Sequence, residues 1–90
     1  MEKEWVLYML RCRDGSLYTG ITNNLEKRLE AHHSGKGAKY TRGRGPLELV
    51  YTEKCEDKSA ALKREVEVKK LSRDEKIQLI GANKNPEDQI

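Results

Sequence analysis

Glu65 is an acidic residue in a position where an apolar residue would be expected. On a helical wheel its carboxylate falls inside an apolar sector bracketed by Ala61, Leu62 and Val68. Placing a carboxylate there is costly unless it meets a metal ion, an arginine or a substrate cleft that holds water. The alternative is a structural Glu65 that reaches the edge of the core and pairs with Arg28 or a lysine.

A second candidate is the basic segment 35–46, GKGAKYTRGRGP, which has four Gly and four Lys or Arg around one Tyr. Flexible backbone amides, positive side chains and a stacking ring suit a phosphate backbone beside an unpaired base. The alternative is a solvated loop without a ligand, as most charge runs are. The residues predicted to bind nucleic acid are Lys36, Lys39, Tyr40, Arg42 and Arg44.

A third candidate group is a pair of residues on a predicted helix. Arg28 and His32 are four residues apart, so they stack on one side of the helix, adjoining the Leu25–Leu29 stripe rather than opposing it. His33 points away from His32, and no second ligand pair follows. A two-histidine metal site is therefore not predicted.

The hairpin consists of WVLYMLRC, residues 5–12, and SLYTGIT, joined by Arg13-Asp14-Gly15. If Arg13 to Gly15 form a three-residue loop with a left-handed Gly15, the register follows, whereas a two-residue Asp14-Gly15 loop would break it. The predicted pairs are Cys12 with Ser16, Leu10 with Tyr18, and Tyr8 with Gly20. The two tyrosines then share one face of the sheet as diagonal neighbours.

The other elements follow from periodicity and capping residues. A helix is predicted over 24–34, with Asn23 as its cap, Leu25 and Leu29 one turn apart, and Gly35 as its end. Beyond Pro46, LELVYTEKC alternates as a third strand, which puts Leu47, Leu49 and Tyr51 on one face. Helices are predicted over about 57–71 and 73–80, and residues 81–90 are expected to be a disordered tail.

Composition bounds the remaining expectations. Ninety residues suit one domain, predicted over 1–80, and a net charge of +3 is too small by itself to identify a polyanionic partner. Cys12 and Cys55 lack the spacing of a zinc site or a disulfide framework, which favours reduced thiols. No apolar leader or membrane span is visible in the sequence, so a soluble, cytoplasmic protein is expected.

In order along the chain, Val6-Leu7-Tyr8, Tyr18-Thr19-Gly20, Asn24-Leu25, Arg28, His32 and a helical Glu65 resemble the GIY-YIG nuclease superfamily. The match covers residues 5 to about 71, and the basic segment looks most like that of the small stand-alone bacterial branch. Each tripeptide is degenerate, so specificity comes from the ordered set. The resemblance implies an α/β (α+β) fold, a three-stranded antiparallel sheet flanked by helices.

The resemblance also implies a reaction, the metal-dependent hydrolysis of phosphodiester bonds in DNA, with branched or flapped substrates and roles in repair or recombination. Glu65 would bind Mg²⁺ or Mn²⁺, and Arg28 would hold the scissile phosphate. Tyr8 and Tyr18 would flank the attacking water, and His32 would relay a proton or orient a tyrosine. Because a free tyrosine is a poor base at neutral pH, a nearby metal or cation must make Tyr8 more acidic.

Two positions differ from the family pattern. Many members have a Lys just after the second motif and an Asn about a dozen residues beyond the metal-binding Glu, whereas this chain has Ile21 and Thr22 and no such Asn before Asn83. These differences favour an alternative, a nucleic-acid-binding module with little or no catalysis. A protein-interaction domain has no sequence feature in its favour. The sequence leaves open DNA or RNA, which tyrosine is the base, any protein partner and the oligomeric state.

Overall fold

The computed structural model of the chain describes residues 4–34 and 46–82. Its elements in chain order are β1 (Trp5–Arg11), β2 (Leu17–Thr22), α1 (Leu25–His33), β3 (Glu48–Cys55), α2 (Lys58–Lys69) and α3 (Arg73–Ala82). The strands form one antiparallel sheet in the order β2-β1-β3. The predicted α+β fold, a three-stranded antiparallel sheet flanked by helices, is confirmed.

The β1–β2 hairpin has the predicted register, with Leu10 opposite Tyr18 and Tyr8 opposite Gly20. Gly15 has a φ of +86°, the left-handed conformation that this turn requires. Asp14 accepts hydrogen bonds from the amide and the hydroxyl of Ser16, at 3.0 and 2.6 Å. Arg73 at the start of α3 donates to the Gly15 carbonyl at 2.8 Å, so the turn is also held from the far end of the chain.

Helix α1 begins one residue later than predicted. Asn24, not Asn23, is its cap, because the Asn24 side chain accepts from the Lys27 amide at 3.2 Å. The Thr22 hydroxyl accepts from the Asn24 amide at 3.1 Å and so links the end of β2 to the helix start. Gly35, the predicted end of this helix, lies outside the described residues.

A β-bulge overturns part of the prediction for β3. Met9 pairs with Tyr51 but the next residue, Leu10, pairs with Leu49, so Val50 is an extra residue on β3. The insertion shifts the two-residue period, and Leu49 and Tyr51 therefore do not share a face as predicted. Tyr51 belongs to the core with 6% exposure, whereas Leu49 is 38% exposed.

Helices α2 and α3 cover the face of the sheet that carries Leu7 and Met9. Val68 of α2 packs against these two side chains and Tyr51, and partly buried residues of α3 surround the cluster. The buried stripe of α2 runs from Ala61 to Val68. Leu62 was predicted within this apolar sector, but it is 44% exposed. That prediction is wrong because the sector is narrow, and one residue beyond Ala61 already lies about 100° around the helix.

Both of these helices start with well-formed caps. Asp57 accepts from the Ala60 amide at 2.8 Å at the start of α2. Ser72 and Glu75 form a reciprocal capping box before α3, with bonds of 2.9 and 3.2 Å. Helix α3 includes residues 81 and 82 of the predicted tail, and residues 83–90 lie outside the described part.

Two expectations from composition can be compared with the fold. Cys12 and Cys55 are both free cysteines. Within residues 4–34 and 46–82, none of the helices has the length and apolar character needed to cross a membrane.

Candidate active site

The hydroxyl of Tyr8 lies between a base and a cation on the face of the sheet that meets α1. His32 Nε2 is 2.9 Å from the Tyr8 oxygen, and Arg28 Nε donates to the same oxygen from 3.4 Å. A hydroxyl can donate one hydrogen bond while it accepts another. The direction of the Tyr8–His32 bond depends on the imidazole tautomer, and when Nε2 is the unprotonated nitrogen the Tyr8 hydroxyl donates its proton to it.

Three aromatic rings pack around this hydroxyl. The ring centroids of Tyr8 and Tyr18 are 6.2 Å apart, and His32 meets Tyr8 at 5.8 Å and Tyr18 at 5.4 Å. The tilted and edge-on orientations are those that aromatic quadrupoles favour. The pairs hold all three rings in one arrangement, and the two tyrosines share a face as the hairpin register predicts.

Gly20 gives Tyr8 the space it occupies. A Cβ atom at Gly20 would lie 2.7 Å from the Tyr8 hydroxyl oxygen, 2.8 Å from Tyr8 Cζ and 3.1 Å from a ring carbon of Tyr18. These distances are shorter than a carbon atom tolerates, so a side chain here must displace the phenol. The position of the Tyr8 phenol therefore requires glycine at residue 20.

Burial sets the protonation states of the pair. Desolvation raises the pKa of Tyr8 to about 12, against the opposing effect of Arg28. The pKa of His32 is lowered from its usual 6.5, first by burial and then by the positive charges of Arg28 and His33. The pair therefore rests as a neutral phenol and a neutral imidazole. The sequence predicted a more acidic Tyr8, but in the protein without a ligand desolvation outweighs the single cation.

Arg28 carries a charge that its surroundings do not neutralise. Its pKa is raised, mainly by the hydrogen bond to Tyr8. Among the ion pairs formed within residues 4–34 and 46–82, none includes Arg28. A half-buried guanidinium without a carboxylate suits an incoming anion, and its fork of donors matches phosphate oxygens.

Glu65 lies on α2, outside the contacts described above that join Tyr8, Tyr18, Arg28 and His32. It shares a helical stripe with Ala61 and Val68, its side chain is 19% exposed, and it pairs with Lys69 at 3.3 Å. Val68 packs on the face of the sheet opposite to that of Tyr8. Helix α2 also packs against β2, the strand that carries Tyr18.

Glu65, as a single carboxylate ligand, suits a cation that keeps most of its water ligands better than one that is surrounded by protein ligands. Within the described ranges, no three His, Cys, Asp or Glu side chains are grouped so as to hold a metal ion. Magnesium binds through one or two carboxylates and keeps several waters, leaving positions for phosphate oxygens. Glu65 is partly buried but open to solvent, so it fits this mode of binding. Its partner Lys69 is 54% exposed and can move away at little cost.

The structure brings together four of the predicted site residues: Tyr8, Tyr18, Arg28 and His32. The residues predicted to bind nucleic acid lie outside the described residues: Lys36, Lys39, Tyr40, Arg42 and Arg44.

Sequence reasoning missed a cleft of about 280 Å³ beside Arg28, lined by Thr22, Asn23, Asn24, Lys27 and Ala31 as well. Lys27, directly before Arg28 on the same helical turn, is the feature of the sequence from which a positively charged surface next to Arg28 could have been predicted.

A second missed cluster lies on the opposite face. The hydroxyl of Tyr51 donates to one oxygen of Glu53 at 2.6 Å, and Arg64 Nε donates to the other at 2.8 Å. Arg64 also reaches Glu67 at 3.9 Å. No local sequence pattern joins residues of β3 to residues of α2, so the bond between Arg64 and Glu53 could not be predicted.

Comparison with known proteins identifies the class to which this fold and site belong. The GIY-YIG catalytic domain matches residues 4–78. The chain belongs to the GIY-YIG family, a superfamily of nucleases that generally use divalent metal ions and act on nucleic acid.

Within that family the chain is similar to small single-domain proteins named UPF0213. It is 58% identical over 80 residues to a UPF0213 protein of Oceanobacillus iheyensis, covering 89% of this chain and 93% of the relative. A UPF0213 protein of Natronomonas pharaonis is 52% identical over 81 residues, covering 90% of this chain and 95% of the relative.

Two solution NMR structures have the same fold. That of a UPF0213 protein from Bacillus halodurans is 49% identical, with a TM-score of 0.60 and coverage of 92% of this chain and 88% of the other. That of the protein EF2693 from E. faecalis is 45% identical, with a TM-score of 0.64 and coverage of 91% and 90%.

Proposed function

We propose that this protein is a metal-dependent endonuclease that hydrolyses phosphodiester bonds in DNA, including branched or flapped DNA, in repair or recombination. One observation carries the proposal. The buried hydroxyl of Tyr8 is hydrogen-bonded both to His32, whose pKa is lowered, and to Arg28, which forms no ion pair within residues 4–34 and 46–82. Hydrolysis of a phosphodiester needs a base for water and a positive group for the phosphate oxygens, and this arrangement offers both.

The base has to be generated during the reaction. The pKa of Tyr8 is raised to about 12 and that of His32 is lowered, so both groups are neutral at rest and the tyrosinate is not the resting form. Positive charge beside the Tyr8 oxygen favours the phenolate. Tyr8 can then take a proton from water while His32 holds the phenol proton.

Arg28 has two roles in this proposal. Its guanidinium stabilises negative charge on the Tyr8 oxygen, and its remaining N–H groups hold the nonbridging oxygens of the scissile phosphate. Both roles become stronger in a cleft from which water is excluded.

Glu65 is the residue proposed to hold the cation, Mg²⁺ or Mn²⁺. When bound, such an ion supplies positive charge that makes nearby water more acidic and neutralises phosphate oxygens. Lys36, Lys39, Tyr40, Arg42 and Arg44 remain the residues proposed to grip the rest of the nucleic acid.

The deciding experiment screens labelled duplex, flap, junction and single-stranded DNA and RNA, with Mg²⁺, with Mn²⁺ and with a chelator. Wild type, Glu65→Ala and Glu67→Ala are purified in parallel. Glu67 is the matched control, since it lies two residues away on the same helix with 67% of its side chain exposed. Cleavage by wild type and Glu67→Ala that depends on metal and is lost in Glu65→Ala supports the proposal. Equal cleavage by all three proteins removes Glu65 from the site.

A second candidate function is nucleic-acid binding without turnover. The observation in its favour is that Tyr8 has 0% exposure, so no water reaches its hydroxyl in this conformation. Ile21 and Thr22, where many members of the GIY-YIG superfamily have a Lys, favour it as well. Salt-dependent binding of a substrate that stays uncut under every metal condition is the result expected of such a module.

A further inference from the structure

The cleft between the end of β2 and the first turns of α1 is distinct from the Tyr8–His32 pair but shares Arg28 with it. Its volume of about 280 Å³ is just below the range of about 300–1,000 Å³ for clefts that enclose a whole small molecule. A space of this size suits part of a polymer, such as one sugar-phosphate unit.

The local hydrogen bonds leave donors for this cleft. Thr22 Oγ1 and Asn24 Oδ1 are both engaged as acceptors, from the amides of Asn24 and Lys27. Within the part of the chain that the structure describes, the hydroxyl proton of Thr22 and the side-chain amide protons of Asn24 are donated to no other group. Donor groups without acceptors are what an anion needs from its surroundings.

Two cations at the same cleft reinforce this preference. Lys27 and Arg28 both line it. The Lys27 side chain is exposed, and within the described ranges no ion pair includes it. An unpaired lysine beside an arginine directed at the Tyr8 oxygen gives a short positive track that leads away from the proposed catalytic group.

Acidic residues limit the direction of that track. Glu26 and Glu30 line the neighbouring hollow on the far side of Lys27. Their charges repel a phosphate backbone there, so an anion at Lys27 is driven toward Arg28.

We propose that this cleft binds a phosphate of the nucleic-acid backbone next to the scissile one, with Lys27 on its outer side and Arg28 shared between the two phosphates. The inference rests on the proposed function, because it takes Arg28 as the residue that holds the scissile phosphate. It adds a binding residue, Lys27, and a path for the strand along the start of α1.

The test measures binding of a labelled flapped DNA without divalent metal, at several salt concentrations, for the full chain and three variants. Lys27→Ala should make the negative slope of log affinity against log salt less steep by about 0.9, the value for one lost phosphate contact on duplex. The ratio of wild-type to variant affinity should then shrink about 3.5-fold between about 50 and about 200 mM salt. Lys27→Arg should keep the wild-type slope. Lys63→Ala, which removes an exposed lysine on α2, should also keep it.

A second measurement locates the anion. Titration with inorganic phosphate and with a dinucleotide, followed by amide NMR shifts, should perturb residues 22–28 in wild type and much less in Lys27→Ala. A dinucleotide that acts at lower concentration than inorganic phosphate identifies the backbone as the ligand. Equal potency of the two would contradict a nucleic-acid subsite and leave a simple anion site.

The outcomes separate this inference from the function on which it rests. Thermal unfolding first verifies that Lys27→Ala is folded. If wild type binds DNA and the folded variant keeps the wild-type salt slope, the proposed subsite is wrong, while the proposed nuclease function is unaffected. If wild type binds through Lys27 but cleaves nothing, the subsite stands and the proposed reaction fails. If wild type binds neither DNA nor RNA, both are wrong.

Discussion

The two faces of the sheet each bury a tyrosine hydroxyl beside an arginine, but the two arrangements differ in charge. Tyr51 donates to Glu53, and that carboxylate is paired with Arg64 at 2.8 Å. Tyr8 is hydrogen-bonded instead to a histidine whose pKa is lowered, and Arg28 has no carboxylate within the described residues.

This difference distinguishes a cluster that stabilises the fold from one prepared for a ligand. Burial raises the pKa of both tyrosines to about 12, so the shift alone does not tell them apart. In the Tyr51 cluster the charge of Arg64 is already neutralised by carboxylates, Glu53 first. In the Tyr8 cluster the partly buried charge of Arg28 has no carboxylate partner within the described residues, and an anionic ligand would neutralise it.

The largest expected effect separates the two tyrosines by activity. Tyr8→Phe should reduce cleavage by about 10²- to 10⁴-fold, the usual contribution of a positioned base, because the hydroxyl takes the proton from water. Tyr51→Phe should leave cleavage within a few-fold of wild type and lower the free energy of unfolding by about 1 kcal/mol. Steady-state cleavage and chemical denaturation of both variants make the comparison. Equal losses of activity would mean that Tyr8 has no special role.

The arginines should show the opposite order in stability. Arg64→Ala leaves a partly buried carboxylate with only Tyr51 as its partner, so the free energy of unfolding should fall by about 2 kcal/mol. Arg28→Ala removes an unpaired charge and should change the free energy of unfolding by less than about 1 kcal/mol, while abolishing cleavage. Urea denaturation measures both values. A strongly destabilised Arg28→Ala would indicate a structural arginine on the Tyr8 face too.

Gly20→Ala tests the packing of the Tyr8 face. The added Cβ must displace the phenol, so cleavage should fall and the free energy of unfolding should drop by about 1–3 kcal/mol. Gly81→Ala is the matched control, because no atom lies within 4 Å of its would-be Cβ and alanine favours the helix. Thermal unfolding and cleavage of the two variants decide the matter. A Gly20→Ala variant as active and stable as wild type would show that the phenol tolerates displacement.

The Tyr8 face could be predicted from sequence because local rules place its residues. The turn at Gly15 fixed the register, the register put Tyr8 and Tyr18 on one face, and the four-residue spacing placed His32 beside Arg28. Each step needs only neighbours in the chain. The hydrogen bonds to Tyr8 then follow from the way α1 crosses the sheet.

The Tyr51 face could not be predicted, for two physical reasons. The bulge at Val50 adds one residue without a compositional signal, so the alternation put Leu49 and Tyr51 on the same face. The bond between Arg64 and Glu53 joins separate elements, and it depends on how α2 settles on the core. The rise in the pKa of Tyr8 also escaped prediction, since burial depends on the whole packing.

The smallest expected effect is the response of stability to pH. The pKa of His32 is lower in the folded protein than in the unfolded chain, where it is about 6.5. The unfolded chain therefore binds more protons below pH 6.5, and the contribution of neutral His32 is complete above that pH and is lost as pH falls toward the folded pKa. Each pH unit within that window costs up to about 1.4 kcal/mol. Denaturation midpoints between about pH 4.5 and 8 measure the slope.

The neighbouring histidine provides the control for this response. His32→Gln keeps an acceptor for the Tyr8 hydroxyl but removes the titrating group, so its stability should vary less with pH below 6.5 than that of wild type. His33 is exposed on the same helix, and His33→Gln should keep the wild-type profile. The cleavage rate should fall over the same acidic range, because a protonated His32 cannot accept the proton of Tyr8. If His32→Gln and wild type lose stability in parallel on acidification, His32 is not the group that couples pH to this face.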